Sequence, residues 1–422
     1  MKRLLLAITF VAVIGLASTG LYLRHVHMGL RRAKDLTASS LWEYAIPELD
    51  RYLWLHPHDS GANLLIAEAL IKDEQNPGGE PVHRALKHLQ RIPDDVSEAA
   101  EARSQEAHLY FLLLRKPAQA EKSLRRALAV DPDHRQANYT YWKLLDMTGR
   151  SHLAAPYFWK VFDKTPLGER PVRLREWYLS QFFPATANPA LVELMGLTDL
   201  SDIPLDDPEF QRFYLFRHSE PEEALSYGML ARWFHYQGAP DDALAVINDG
   251  LKRAKNPHRE PLFLATLIAV LIDLGELDRA EKVFAQWPQP HEGYEYWATR
   301  ADVLDNVAKD YAGAALAYDK VLQTDWPGPA DWRTRSLFAN CLFRTGVKED
   351  AERAKQLRKE VDKITSILRD ETHSELEAKM GNLTEPDSLE SIAEFYEKIG
   401  CRREATAWRE LLKSLNEFRD SS

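Results

Sequence analysis

AQAEKSLRRALAVDPDHRQANYTYWKLLDMTGRSHLAAPYFWKVFDKTP, residues 118–166, holds one unit and then the same unit 34 residues later. Ala120, Leu124, Ala127 and Pro132 recur as Ala154, Phe158, Val161 and Pro166. The places run small, large apolar, small or branched, then proline. Spacings of 4 and 3 put the first three on one face of a helix. Asp131-Pro132-Asp133 stops that helix and opens the next, because proline cannot continue the hydrogen-bond ladder and aspartate suits a cap. The second helix carries Ala137, Tyr141, Leu144 and Leu145 on one face and ends near Gly149, a residue suited to a left-handed C-cap. Ala154 opens the next unit five residues later, small because two helices cross closely there.

A period of 34 built from helix, turn, helix and closing proline resembles the tetratricopeptide repeat family. The resemblance implies an all-α, right-handed superhelical solenoid of helical hairpins. The pattern extends well beyond the opening stretch. Ala45, Leu49 and Tyr52 lead to Pro57, and Ala85, Leu89 and Ile92 lead to Pro93. Glycine followed five residues on by alanine appears as Gly149/Ala154, Gly238/Ala243, Gly275/Ala280, Gly346/Ala351 and Gly400/Ala405. Ala314, Tyr318 and Val321 give one more second helix. Between the two halves the pattern lapses, and Pro184, Pro189, Pro204 and Pro208 punctuate the chain. The expected organisation is a membrane segment with basic flank at 1–34, an array at 35–183, an irregular connector at 184–218 and a second array at 219–422.

Two departures from the family pattern carry information. After Ala351 the large apolar places hold Lys355 and Arg358, while Ala354, Leu357, Val361, Ile364 and Leu368 form a stripe. That stripe predicts a long helix packed along the array. In the last unit Arg409 stands where a large apolar residue belongs, as a polar outer face on a capping unit would require.

Leu4 to Leu23 is twenty residues without a charge, long enough to span a bilayer as a helix. Two readings compete: a retained single-pass anchor, which the full apolar length favours, and a cleaved signal ending near Gly15 and Ala17. Met1-Lys2-Arg3 before an apolar run is how exported bacterial chains begin, so the body is expected to be extracytoplasmic, in the periplasm or secreted after cleavage. The formal charge is −10, and without the six basic residues of 1–34 the balance is −16. A body that acidic is a poor general binder of nucleic acid, whose affinity comes from neutralised phosphates. Cys341 and Cys401 are the only cysteines, which excludes a disulfide framework and a multi-cysteine metal site.

No catalytic motif stands. There is no phosphate-binding glycine loop and no nucleophile elbow. His291-Glu292-Gly293-Tyr294-Glu295 lacks the second histidine of a zinc protease helix, and His56 and His58 flank a turn proline as solvated surface. No cofactor, metal or small-molecule substrate is expected, and the protein is read as no enzyme.

What remains is surface. The resemblance implies that the first helix of each hairpin lines a concave groove. Its groove-facing places map onto Gln136, Tyr139, Lys143 and Asp146; onto Leu225, Gly228, Arg232 and His235; and onto Leu262, Ala265, Ala269 and Ile272. In the last unit they are Asp387, Glu390, Glu394 and Glu397. Tyr139, Lys143, Arg232 and His235 are the expected partner contacts, because aromatic and basic side chains carry much interface energy and the cations suit an acidic partner segment. The leading reading is a membrane-tethered scaffold or adaptor for a protein or peptide. A cell-envelope assembly or cytochrome-maturation chaperone, with an apolar floor at 262–272, and an accessory subunit of an enzyme complex are the alternatives.

Overall fold

The computed structural model describes residues 28–73, 79–182, 208–323, 332–369 and 371–420. Among these residues every regular element is a helix. The apolar run at 4–23 lies outside them, and among the described residues no helix is long and apolar enough to cross a membrane. Contacts divide the chain into a first unit, residues 1–114 with 119–140, and a second unit, residues 115–118 with 141–422.

In the first unit, helices Trp42–Leu55, Ser60–Lys72, Gly79–Leu89 and Ala99–His108 bury the repeat positions. Ala45, Leu49, Ile66, Ala85 and Leu89 are all fully covered in one cluster. Each large aliphatic side chain so buried contributes roughly 1.5–3 kcal/mol. The turn before Ser60 shows how the sequence ends one helix and starts the next. Asp59 accepts from Ala62 N–H at 2.8 Å and from Tyr52 Oη at 2.8 Å, so one carboxylate caps the new helix and ties it to the old. Asn63 Nδ2 donates to Pro57 O at 2.9 Å and Asp59 O at 2.8 Å, locking the turn.

The same device recurs at the next proline turn. Asn138 Nδ2 donates to Pro132 O at 3.1 Å and His134 O at 2.9 Å. The cap itself is a histidine where aspartate was expected: Ala137 N–H donates to His134 Nδ1 at 3.2 Å. Arg103, 1% exposed, fills a comparable structural role deeper in this unit. It donates to Asp94 at 2.8 Å and to Leu89 O at 3.1 Å, and it pairs with buried Glu106.

The second unit repeats the hairpin. Gly149, Gly238, Gly275, Gly346 and Gly400, the five glycines of the spacing, all have positive φ, from 69° to 86°. A left-handed residue there lets the chain reverse at no steric cost. Ala154, Ala243, Ala280, Ala314 and Ala405 are at most 2% exposed. Ala351 is only half-buried. Its helix, Lys348–Arg369, instead buries Ala354, Leu357, Val361 and Ile364 and packs on Trp332–Arg344, as the displaced stripe predicts. Helix Pro208–Ser219 occupies the end of the stretch expected to be irregular. Proline at a helix start loses nothing, and Phe210, Phe213 and Phe216 at spacing 3 are buried.

The first and last hairpins of this unit meet. Trp177 Nε1 and Gln181 Nε2 donate to Glu404 Oε1 at 3.0 and 3.1 Å, and Tyr396 Oη donates to Gln181 Oε1 at 2.9 Å. Cys341 and Cys401 are both buried and free, so no bridge contributes.

Helices Ala224–Tyr236 and Pro261–Asp273 cross where Gly228 faces backbone. A Cβ at Gly228 would lie 3.0 Å from Phe263 N and 3.1 Å from Phe263 Cα, and backbone cannot yield as a side chain can. Gly228→Ala should therefore cost about 1–3 kcal/mol through overpacking, outweighing the usual helix gain of glycine to alanine. Gly61→Ala, where the nearest atom is 3.6 Å away, should be neutral or stabilising. Chemical denaturation of both variants measures this, and equal effects would contradict the close crossing.

Candidate functional site

The four expected contact residues have separate fates. Tyr139 belongs to the first unit and is half-buried. Lys143 does not line an open face: it is 2% exposed, with Nζ 3.6 Å from Glu176 and 3.6 Å from the centre of the Trp142 ring. Burial lowers its pKa, against the pull of Glu176 and Asp146. The residue serves the interior because it lies over Trp142, whose ring packs edge-on against Phe158 and Trp177.

Asp146 shares that interior. Trp142 Nε1 donates to Ser180 Oγ at 2.9 Å, and Ser180 donates on to Asp146. Burial pushes the Asp146 carboxyl up to about 7, with Lys143 and Ser180 opposing. Two of the residues expected on the groove face are thus members of a buried polar network. The apolar floor has a similar outcome. Leu262 is 1% exposed, and Ala265 and Ile272 pack half-buried against the hydrophobic cluster of Phe263, Leu267 and Ile268. By contrast, Asp387, Glu390, Glu394 and Glu397 are exposed on helix Pro386–Lys398.

Arg232 and His235 stand one turn apart on helix Ala224–Tyr236. His235 Nε2 lies 2.7 Å from Asp273 Oδ2. Arg232 is half-buried and makes no hydrogen bond or ion pair among the described residues. Its charge acts on Glu295, which is 7% exposed in the first turn of helix Tyr294–Val303. His152 Nε2 lies 3.0 Å from Glu295 Oε1, and its ring packs 4.2 Å from the Tyr294 ring. Burial alone would raise the Glu295 pKa, but His152, Arg232 and Arg150 hold it down to about 2. Farther along the same helix, burial and the charges of Asp305 and Asp273 push Asp302 up to about 6, while Tyr318 Oη donates to it at 2.8 Å.

The result is a polar cluster in the second unit, with Arg150, Arg232 and His152 gathered around one buried carboxylate, Glu295. Glu295 was missed from sequence, although it closes the His291 to Glu295 stretch that fails as a zinc motif. Its partner, His152, is 143 residues away, and no local spacing links the two. No group of three or more metal-ligating side chains occurs among the described residues.

No family model matches the sequence, and no curated protein matches it. Solved structures that resemble the chain include a tetratricopeptide repeat protein from Parabacteroides merdae, 15% identical, with a TM-score of 0.29 over 62% of this chain and 92% of that one. Yeast Tom70 is 12% identical, with a TM-score of 0.33 over 93% of this chain and 92% of that one. The APC/C hetero-tetramer Cut9-Hcn1 gives 13% identity and a TM-score of 0.36 over 92% of this chain and 76% of that chain. At these superposition scores the likenesses add nothing to what the helix packing itself shows.

The Glu295 carboxyl is held down to about 2, against about 4.5 for a free glutamate, so its ionised form stabilises the fold above about 4.5 and that stabilisation is lost as pH falls towards 2. Glu295→Gln should cost about 3 kcal/mol at pH 7. The gap between variant and wild type should narrow steadily below pH ~4.5. Urea unfolding at several pH values measures it, and a gap independent of pH would contradict the ion cluster.

Proposed function

We propose that the chain is a non-catalytic scaffold that holds a protein or peptide partner against the first-helix faces of its second unit. One observation carries this reading: Arg232 is half-buried and makes no direct ion pair among the described residues, and Glu295, the carboxylate its charge reaches, is held at 3.0 Å by His152. A half-buried guanidinium that shares an anion without touching it keeps hydrogen-bond donors unpaired. An acidic partner segment would complete it and would gain specificity from doing so. His235, one turn on and 17% exposed at its side chain, borders the same face. Tyr139, in the first unit, would be a separate aromatic contact. The chaperone alternative loses support, because its apolar floor is occupied in packing.

On this reading residues 4–23 tether the body at a membrane, on the extracytoplasmic side. Twenty uncharged residues supply the needed length.

The test uses the full-length chain and one starting at His25, each purified by affinity from fractionated cells. The full-length chain should pellet with membranes and carry a stoichiometric partner, and the shortened chain should stay in the supernatant. Arg232→Gln with His235→Ala should reduce partner recovery about tenfold or more while the far-UV helical signal is kept. Full partner retention in that variant would remove this surface from the interaction, and equal partitioning of the two chains would remove the tether.

A further inference from the structure

A second surface lies in the first unit, on the second helices of successive hairpins. Helices Trp42–Leu55 and Gly79–Leu89 border a recess of about 460 Å³. Its apolar side is Trp54, which stands 72% exposed, together with Leu53 and Pro57. Its other side is basic. Arg84 is spent on the neighbouring Asp50, to which it donates at 3.1 and 3.3 Å. Lys87 and Arg91 are exposed, line the recess, and their side chains make no hydrogen bond or ion pair among the described residues.

His88 sits between them without adding charge. Its Nδ1 is held 2.9 Å from Asn63 Oδ1, and burial, with the charges of Arg91 and Arg84, lowers its pKa to about 4. The recess therefore presents two uncommitted cations beside an aromatic face, in a chain of net charge −10. Exposed tryptophan and unpaired arginine are the side chains that carry interface energy when a partner covers them.

We propose that this recess docks a short acidic segment of a partner protein, with one apolar side chain seated on Trp54. The proposal deepens the scaffold reading and rests on it for the existence of a partner, but it places a contact outside the first-helix faces. A peptide segment fits better than an anionic lipid surface for two reasons. The cations line a recess, which a strand of chain can enter and a flat sheet of headgroups cannot. The acidic remainder of the protein repels an anionic sheet, whereas a short segment meets only the local field.

The probe is a fluorescein-labelled twelve-residue peptide with glutamates flanking a central Leu-Phe, and the control has lysine for each glutamate. Anisotropy is read with the full chain in neutral detergent. The acidic peptide should bind with a Kd below about 100 μM at low salt and weaken as salt rises. Lys87→Glu with Arg91→Glu should weaken it about tenfold or more, Trp54→Ala about fivefold, and the lysine peptide should not bind. Lys87→Gln with Arg91→Gln repeats the charge test with a gentler change if the reversal perturbs folding. The fold-loss from Lys87→Glu with Arg91→Glu should be the same in an Arg232→Gln background, so failure here and failure of the first-helix surface are separately visible. Equal affinity in wild type and both double variants, or no saturable binding of the acidic peptide, would overturn the proposal. So would charge-dependent binding seen only with phosphatidylglycerol vesicles.

Discussion

Glu404 accepts hydrogen bonds from Trp177 and Gln181, and those two contacts join parts of the second unit more than 220 residues apart, the first pair by 227. An open repeat array has contacts only between neighbours, and its last repeat must turn a polar face to water. Here the last hairpin is covered as well as covering. Ala405, Trp408 and Leu411 on helix Arg402–Asp420 are buried, with Trp408 fully so, while Arg409 points outward to Glu397 at 2.6 Å. Arg409 is thus a polar outer residue, as expected of a cap, but the opposite side of its helix is packed where a free cap would be wet. Removing Glu404 would leave a buried indole and a buried amide without their acceptor, which costs more than the hydrogen bonds contribute.

Lys143, Asp146, Glu295 and Arg150 of the second unit are also out of water, each at most 7% exposed. A charge so placed needs partners, and Lys143 has Glu176 while Glu295 has His152. The two carboxyls titrate in opposite directions for a physical reason. Asp146 faces mainly burial and one cation, so it rises to about 7, whereas Glu295 faces His152, Arg232 and Arg150 and falls to about 2. Arg232 shares Glu295 with these groups but makes no direct ion pair of its own among the described residues.

The local part of this fold was legible in the sequence because it is written in short-range terms. Glycine at a left-handed turn, alanine at a close crossing and proline after a helix act within a few residues, and Gly149 with Ala154 shows all but the proline. The stripe of Ala354, Leu357, Val361 and Ile364 was legible for the same reason, since helical spacing alone sets the face. The site residues were less legible. Lys143 and Arg232 occupy equivalent groove-facing places, yet one is buried against Trp142 and the other is half-open. That difference is made by Trp177 and Glu176 on a separate helix, which no spacing around Lys143 announces. Asn63 and Asn138 were also invisible as turn locks, although each stands six residues after a turn proline.

Native-state hydrogen exchange on Glu404→Ala tests the closure most directly. If Glu404 joins the two hairpins, amides of 174–181 should lose protection together with those of 402–412, while helix Ser60–Lys72 in the first unit keeps its own. Loss confined to 402–412, with 174–181 as protected as in the wild type, would show that the first hairpin of the second unit stands without the last and would contradict the closed arrangement.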